Sequence, residues 1–193
     1  MLSDIKRGVR CTIVTMALFG GGYHLLLWGI GRTILPNQAE GSLIRRADGT
    51  VVGSSLIAQA FTRPEYFHPR PSGVGYNAAS TGGTNYGPSN PDQLQAVRDR
   101  LDAVVTEEDV SPAQVPSEMV TASGAGLDPH IPPNAAALQV ARVARARNVD
   151  ANQVRELVRA HTAAPALGVL GRDRVNVLEL NLVLDEAFGR LQQ

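Results

Sequence analysis

The sequence predicts an α+β protein in which one N-terminal transmembrane helix is followed by a single mixed domain with a short hairpin and about four helices. Three observations predict it. Residues 11–31 carry no formal charge, an Asp-Gly pair sits between two β-prone runs, and later segments begin with an Asn or Asp placed to cap a helix. A chain of 193 residues has room for one ordinary domain and an appendage.

The run "CTIVTMALFGGGYHLLLWGIG", Cys11 to Gly31, matches the roughly 20 apolar residues that cross a bilayer core as a helix. Gly20, Gly21 and Gly22 would weaken a helix in water, but in lipid they let a second helix approach closely. His24 lies at a depth where a polar side chain packs against a neighbour. These four residues are the candidate contacts with a partner helix. Trp28 is the interfacial anchor near the end of the span. A cleaved signal would have a shorter apolar core followed by small residues, whereas "GRTILPNQAEG" follows here. Lys6, Arg7 and Arg10 precede the span and only Arg32 closely follows it. The positive-inside rule therefore places residues 1–10 in the cytoplasm and the domain at 36–193 outside it.

In the domain, Asp48-Gly49 marks a tight turn and hence a short hairpin within 41–61. The following segment, "TRPEYFHPRPSGVGYNAASTGGTNYGPSNP", is loop by composition. Two readings of it stay open: solvated disorder, or a loop pinned to a surface or a partner by Tyr66, Phe67, Tyr76 and Tyr86. Tyr76 and Tyr86 are its interface candidates. Asn90 caps a helix with Pro91 at its first position, placing Leu94, Val97, Leu101 and Val104 on one face and the end near Thr106. Pro132 and Pro133 suit the first turn of a second helix, "NAAALQVARVARAR", with Leu138, Ala141 and Ala144 apolar and Arg142, Arg145 and Arg147 on a solvated face. Asp150 with Gln153 starts a third, ended by His161 as a C-terminal cap, and Asn176 with Glu179 starts a fourth that runs to Leu191.

Function classes narrow by exclusion. Eighteen basic and 18 acidic residues cancel, so no net field draws the chain to nucleic acid. Cys11 is the single cysteine, which rules out an internal disulfide and a cysteine metal cluster. Glu107, Glu108 and Asp109 read as a solvated turn rather than a cation site, so no metal is expected. Ser123, Asp128 and His130 offer triad chemistry, and a single-pass extracytoplasmic hydrolase using Ser123 and His130 is the alternative function. Against it, base and acid would come from almost one point of the chain across a stiff proline, and no G-x-S-x-G elbow is present. No catalytic residue is assigned. A third reading, a secreted binding module, requires cleavage near Ala39.

Taken in order, the basic N-terminus and single span, "GSLIRRADGTVVGSSLIAQAF", "YFHPRPS", "STGGTNYGPSNP", "SGAGLDPHIPPNAAALQVARVA" and "RVNVLELNLVLD" resemble the C subunit of Kdp-type ATP-driven bacterial potassium transporters, the KdpC family, over nearly the whole length. Departures are small: one extra alanine in Ala135–Ala137, Ala125 where serine is usual, and Pro132-Pro133 where serine then proline is frequent. The resemblance implies a non-catalytic accessory subunit in the bacterial inner membrane, assembled with a channel-like potassium-binding subunit and a P-type ATPase subunit. It implies no cofactor of its own, with ATP met only through the ATPase subunit. The family is also described as a catalytic chaperone that raises that subunit's ATP affinity. An extracytoplasmic domain without a G-x-x-x-x-G-K loop points instead to assembly and indirect stabilisation.

Overall fold

The computed structural model describes residues 1–46 and 48–190, which fall into two compact units, Met1–Val52 and Gly53–Gln193. The first unit opens with helix α1, Leu2–Ile34, whose most apolar 18-residue window has a mean hydropathy of 1.5 and is not buried at all. By length and composition it can cross a membrane. At 1.5 Å per residue it is about 50 Å long, so it overruns the predicted 11–31 span at both ends. Helix continues into the charged flank because Lys6, Arg7 and Arg10 are good helix formers. At Met16–Gly22 the helix widens into a π-turn. The three glycines sit in this wider turn, where the crowding that Cβ atoms would add is absent.

Strands β1, Leu43–Arg45, and β2, Val51–Ser54, pair as the expected hairpin. Gly49 takes φ +84°, and Asp48 Oδ1 accepts the Thr50 N–H at 2.8 Å. Both features are what an Asp-Gly turn supplies. Ala47, inside that predicted hairpin, lies outside the described residues.

Four longer helices build the second unit: α2, Pro91–Glu108; α3, Pro133–Arg147; α4, Ala151–Ala160; and α5, Val177–Phe188. The caps read from sequence are present. Asn90 accepts from the Asp92 and Gln93 N–H groups, Asp150 from Asn152, and Asn176 from Glu179. His161 Nδ1 lies 2.9 Å from Leu157 O, closing α4. Strand β5, Arg174–Asn176, lies between β3, His130–Ile131, and β4, Thr162–Ala163, all antiparallel. Helix α3 packs on α2, α4 and β5, and α5 packs on α4 and β5. Their shared core contains Phe67, Ile131, Val140, Val143, Val154, Val175, Leu180 and Leu184. A large apolar side chain buried this way contributes about 1.5–3 kcal/mol.

Several expectations need correction. Helix α2 passes Thr106 and ends at Glu108, because Asp109 adopts the left-handed conformation that closes a helix, with φ 56°. Leu94 is exposed, and the buried positions of α2 are Val104 and Glu108. In α3, Ala141 is exposed and Leu138 half-buried, while Ala135, Ala136, Gln139, Val140, Val143 and Ala144 face the core. Helix α5 stops at Phe188, before Gly189, and Leu191 lies outside the described residues. The three-stranded sheet is new, since strands of two or three residues carry no readable alternation.

Candidate interaction site

The irregular segment Pro64–His68 has no strand or helix to satisfy its backbone, and buried backbone groups need partners. Side chains of α3 and α5 supply them. Arg142 donates through Nη1 to Pro64 O at 2.7 Å and Tyr66 O at 2.9 Å, through Nη2 to Gln139 Oε1 at 2.8 Å, and through Nε to Glu108 Oε1 at 2.9 Å. Gln139 accepts the His68 N–H at 2.7 Å and donates to His68 O at 3.1 Å. Asn181 does the same for Phe67, at 2.8 and 3.0 Å. Arg147 donates to Glu65 O at 2.8 Å and Asp185 Oδ1 at 2.8 Å, with its guanidinium 5.0 Å from the centre of the Tyr66 ring. Tyr66 donates its hydroxyl to Asp185 Oδ2 at 3.0 Å.

The open question about the loop is thus decided for this stretch, which is pinned to its own domain by Tyr66 and Phe67. The solvated faces expected of α3 and of the acidic turn are corrected as well. Arg142 and Arg147 are 4% and 6% exposed, and Glu108 is buried against Arg142 while Glu107 and Asp109 face solvent. Burial pushes the Glu108 pKa up despite the neighbouring Arg142. Burial, reinforced by Arg142, pushes the His68 pKa down. Among the described residues no cluster of three or more His, Cys, Asp or Glu is arranged to hold a metal ion.

Further along, the loop docks on the glycine turn at Ser123–Gly126. Ser123 N–H donates to Pro71 O at 3.0 Å, Gly82 N–H to Ala125 O at 3.0 Å, and Ser72 Oγ–H to Gly126 O at 2.7 Å. The approach needs glycine at two places. A Cβ on Gly83 would lie 2.8 Å from Gly124 O, and one on Gly126, at φ +70°, would lie 2.5 Å from Val74 Cγ2. Tyr76, itself at φ 58°, donates its hydroxyl to Arg70 O at 2.9 Å. Burial raises its pKa. Its phenol therefore works inside the domain, whereas Tyr86 stands 47% exposed.

Ser123 is 4% exposed, and no hydrogen bond joins it to His130 among the described residues. The hydrolase alternative has no support, since a nucleophile needs both access and a base within reach. His130 instead sits with its Nδ1 3.7 Å from Asp128 Oδ1, and Arg70 Nη1 donates to Asp128 Oδ2 at 3.2 Å. Burial alone would raise the Asp128 pKa, but hydrogen bonds from His130 and Arg70 outweigh it and hold the carboxyl below its usual value. A depressed carboxyl pKa stabilises the fold above the unfolded value of about 4, and the gain is lost as pH falls through the folded value. Melting profiles from pH 7 down to about pH 3 should therefore fall less steeply for Asp128→Asn than for wild type below about pH 4. Parallel acid limbs would discard the interaction.

On α1, Leu18, Phe19, Gly22, Tyr23 and Leu26 line a shallow apolar groove beside the π-turn, and His24 Nδ1 lies 2.9 Å from Phe19 O. The groove takes in Gly22, and one imidazole nitrogen, Nδ1, is partnered within its own helix. Sequence reasoning named the glycines and His24 but missed the buried arginines, whose signal was a basic helix in a neutral chain.

The family model described as "KdpC: K+-transporting ATPase, c chain" matches residues 5–186. The chain belongs to the KdpC family. Curated proteins named potassium-transporting ATPase KdpC subunit align over almost the whole chain. That of Polaromonas naphthalenivorans is 51% identical over 188 residues, covering 96% of this chain and 95% of its own. That of Citrifermentans bemidjiense is 46% identical over 193 residues, covering 98% and 100%. That of Geobacter sulfurreducens is 45% identical over 187 residues, covering 95% and 98%. KdpC proteins are subunits of a K+-transporting ATPase, and the long unburied α1 is compatible with a membrane-anchored KdpC subunit.

Proposed function

We propose that this KdpC subunit is a non-catalytic scaffold of the potassium pump, fixed by α1 in the bacterial inner membrane with residues 1–10 in the cytoplasm and the second unit outside. Its partners in this reading are the potassium-binding subunit and the ATP-hydrolysing subunit. The observation that carries it is α1 itself, 33 residues long with an apolar window left unburied among the described residues. Such a helix is stable only in lipid or against other helices. Gly20, Gly21, Gly22 and His24 would meet a neighbouring helix, and Tyr86 would meet the outer face of the potassium-binding subunit. Any effect on ATP affinity is then indirect, because the domain and the nucleotide are on opposite sides of the membrane.

The orientation rests on Lys6, Arg7 and Arg10 before the span against Arg32 after it. Arg32 is drawn to Glu40 at 3.1 Å and lies 5.6 Å from the Trp28 ring, an arrangement suited to an interfacial anchor. A reporter active only outside the cytoplasm should work when fused after Gln193, and a reporter active only inside should not. The reverse pattern would invert the topology. Purification of the tagged subunit in mild detergent should recover both partner subunits, and recovery of neither would end the scaffold reading.

A further inference from the structure

A hairpin joins β4, Thr162–Ala163, to β5, Arg174–Asn176. Residues 162–171 carry no formal charge. Ala166 and Leu170 form an antiparallel bridge, with the Ala166 N–H bonded to Leu170 O at 2.9 Å and the Leu170 N–H to Ala166 O at 2.9 Å. The tip between them exposes Leu167 by 89% and Val169 by 79%, and Leu170 beside it by 61%. Leu167 has φ 54° and Gly168 φ 75°. Positions of positive φ normally take Gly, Asn or Asp, and an apolar branched residue is disfavoured there. The turn of the other hairpin follows that rule with Gly49 at φ 84°. Here a leucine occupies such a position, in water, on a projecting turn.

The base of the hairpin is cationic. Arg174 Nη1 donates to Ala164 O at 3.2 Å, and Arg155 and Arg159 line a shallow depression with Ala164 and Asp173. Arg159 is paired with Glu156. Arg172, next to the tip, is exposed and makes no hydrogen bond or ion pair among the described residues.

We propose that this hairpin is a membrane finger: Leu167, Val169 and Leu170 insert at the surface of the bilayer that holds α1, and Arg172 meets the phosphates of its headgroups. The inference rests on the reading that α1 spans a membrane. An uncharged apolar tip with cationic flanks matches the two layers of a lipid surface, hydrocarbon below and phosphate above. A protein surface is the less fitting occupant, because the tip from Ala163 to Gly171 offers neither the aromatic anchors nor the hydrogen-bonding side chains that interface centres use. Because the second unit is tethered to α1 through residues 35–52, the bilayer is present to the hairpin at a high effective concentration.

The test places a nitroxide label on Leu167→Cys in a Cys11→Ser background, in the full chain reconstituted into phosphatidylethanolamine and phosphatidylglycerol vesicles, and again in the complex with its partners. Leu26→Cys in α1 and Ala103→Cys on the exposed side of α2 serve as references. The Leu167 label should collide with dissolved oxygen more than with a water-soluble nickel chelate, as at Leu26, while Ala103 shows the opposite preference. Nickel access at Leu167 with Leu26 shielded would overturn the finger and leave the anchor standing. Nickel access at Leu26 would overturn the anchor. Shielding of Leu167 from both reagents only when partners are present would also overturn the proposal and assign the hairpin to a protein contact.

Discussion

Replacing Arg142 with methionine should destabilise the second unit by about 3–5 kcal/mol, a lowering of the melting temperature by roughly 10–17 °C for a domain of this size. Methionine retains most of the apolar stem, so the loss falls on the guanidinium. Without it, Pro64 O and Tyr66 O lose their donor and the Glu108 carboxylate is left buried without its cation. Glu108 is only 6% exposed, so bulk water does not readily compensate. Combining Arg142→Met with Glu108→Gln removes the stranded charge and should recover about 1–3 kcal/mol. Thermal melting of the detergent-solubilised chain measures both. A single variant within 1 kcal/mol of wild type would mean that the clamp is not needed to hold the segment.

The second large effect is expected at Gly126. Gly126→Ala places a Cβ 2.5 Å from Val74 Cγ2 and 2.8 Å from Gly82 O, at φ +70°. Strain of the left-handed backbone and overpacking each cost about 1–3 kcal/mol, so a total near 3 kcal/mol is expected. Gly124→Ala supplies the contrast, since a Cβ there meets nothing within 4 Å and its φ is ordinary. That variant should melt within about 0.5 kcal/mol of wild type. Limited proteolysis should cut Gly126→Ala between Ser72 and Gly83 and spare Gly124→Ala. Equal behaviour of the two variants would show that the glycine-to-glycine contact does not hold the loop.

What could be read from sequence was local. Asn90, Asp150 and Asn176 act within one turn of themselves, as does Asp48 with Gly49, so each was visible as a string. The family was visible for the same reason, through short strings in fixed order. The clamp was not. Arg142 and Arg147 look like a solvated stripe because a charged side chain is buried only when paired, and their partners lie 76 and 82 residues away at Tyr66 and Glu65. Glu108 was misplaced by the same blindness, as was the exposed Ala141, whose face of α3 is set by where Gln139 and Arg142 must reach. The SGAG turn invited a catalytic reading because a serine among glycines has the composition of a nucleophile loop. Its residues instead answer to a loop upstream, from Pro71, 52 residues before Ser123, to Gly83, 41 before Gly124.

The clamp over Pro64–His68 also orders events during synthesis. Phe67 and the asparagine that pairs its backbone are 114 residues apart, so at ordinary translation rates the segment waits roughly 6–23 s for Asn181 to emerge. Throughout that interval Phe67 is without its backbone partner, whereas Gln139, Arg142 and Arg147, which serve the neighbouring residues, emerge earlier. Contacts this distant in sequence form late in folding. A chain interrupted before α5 lacks Asn181, Leu180 and Leu184, so Phe67 keeps its backbone unpaired and its side chain only partly covered.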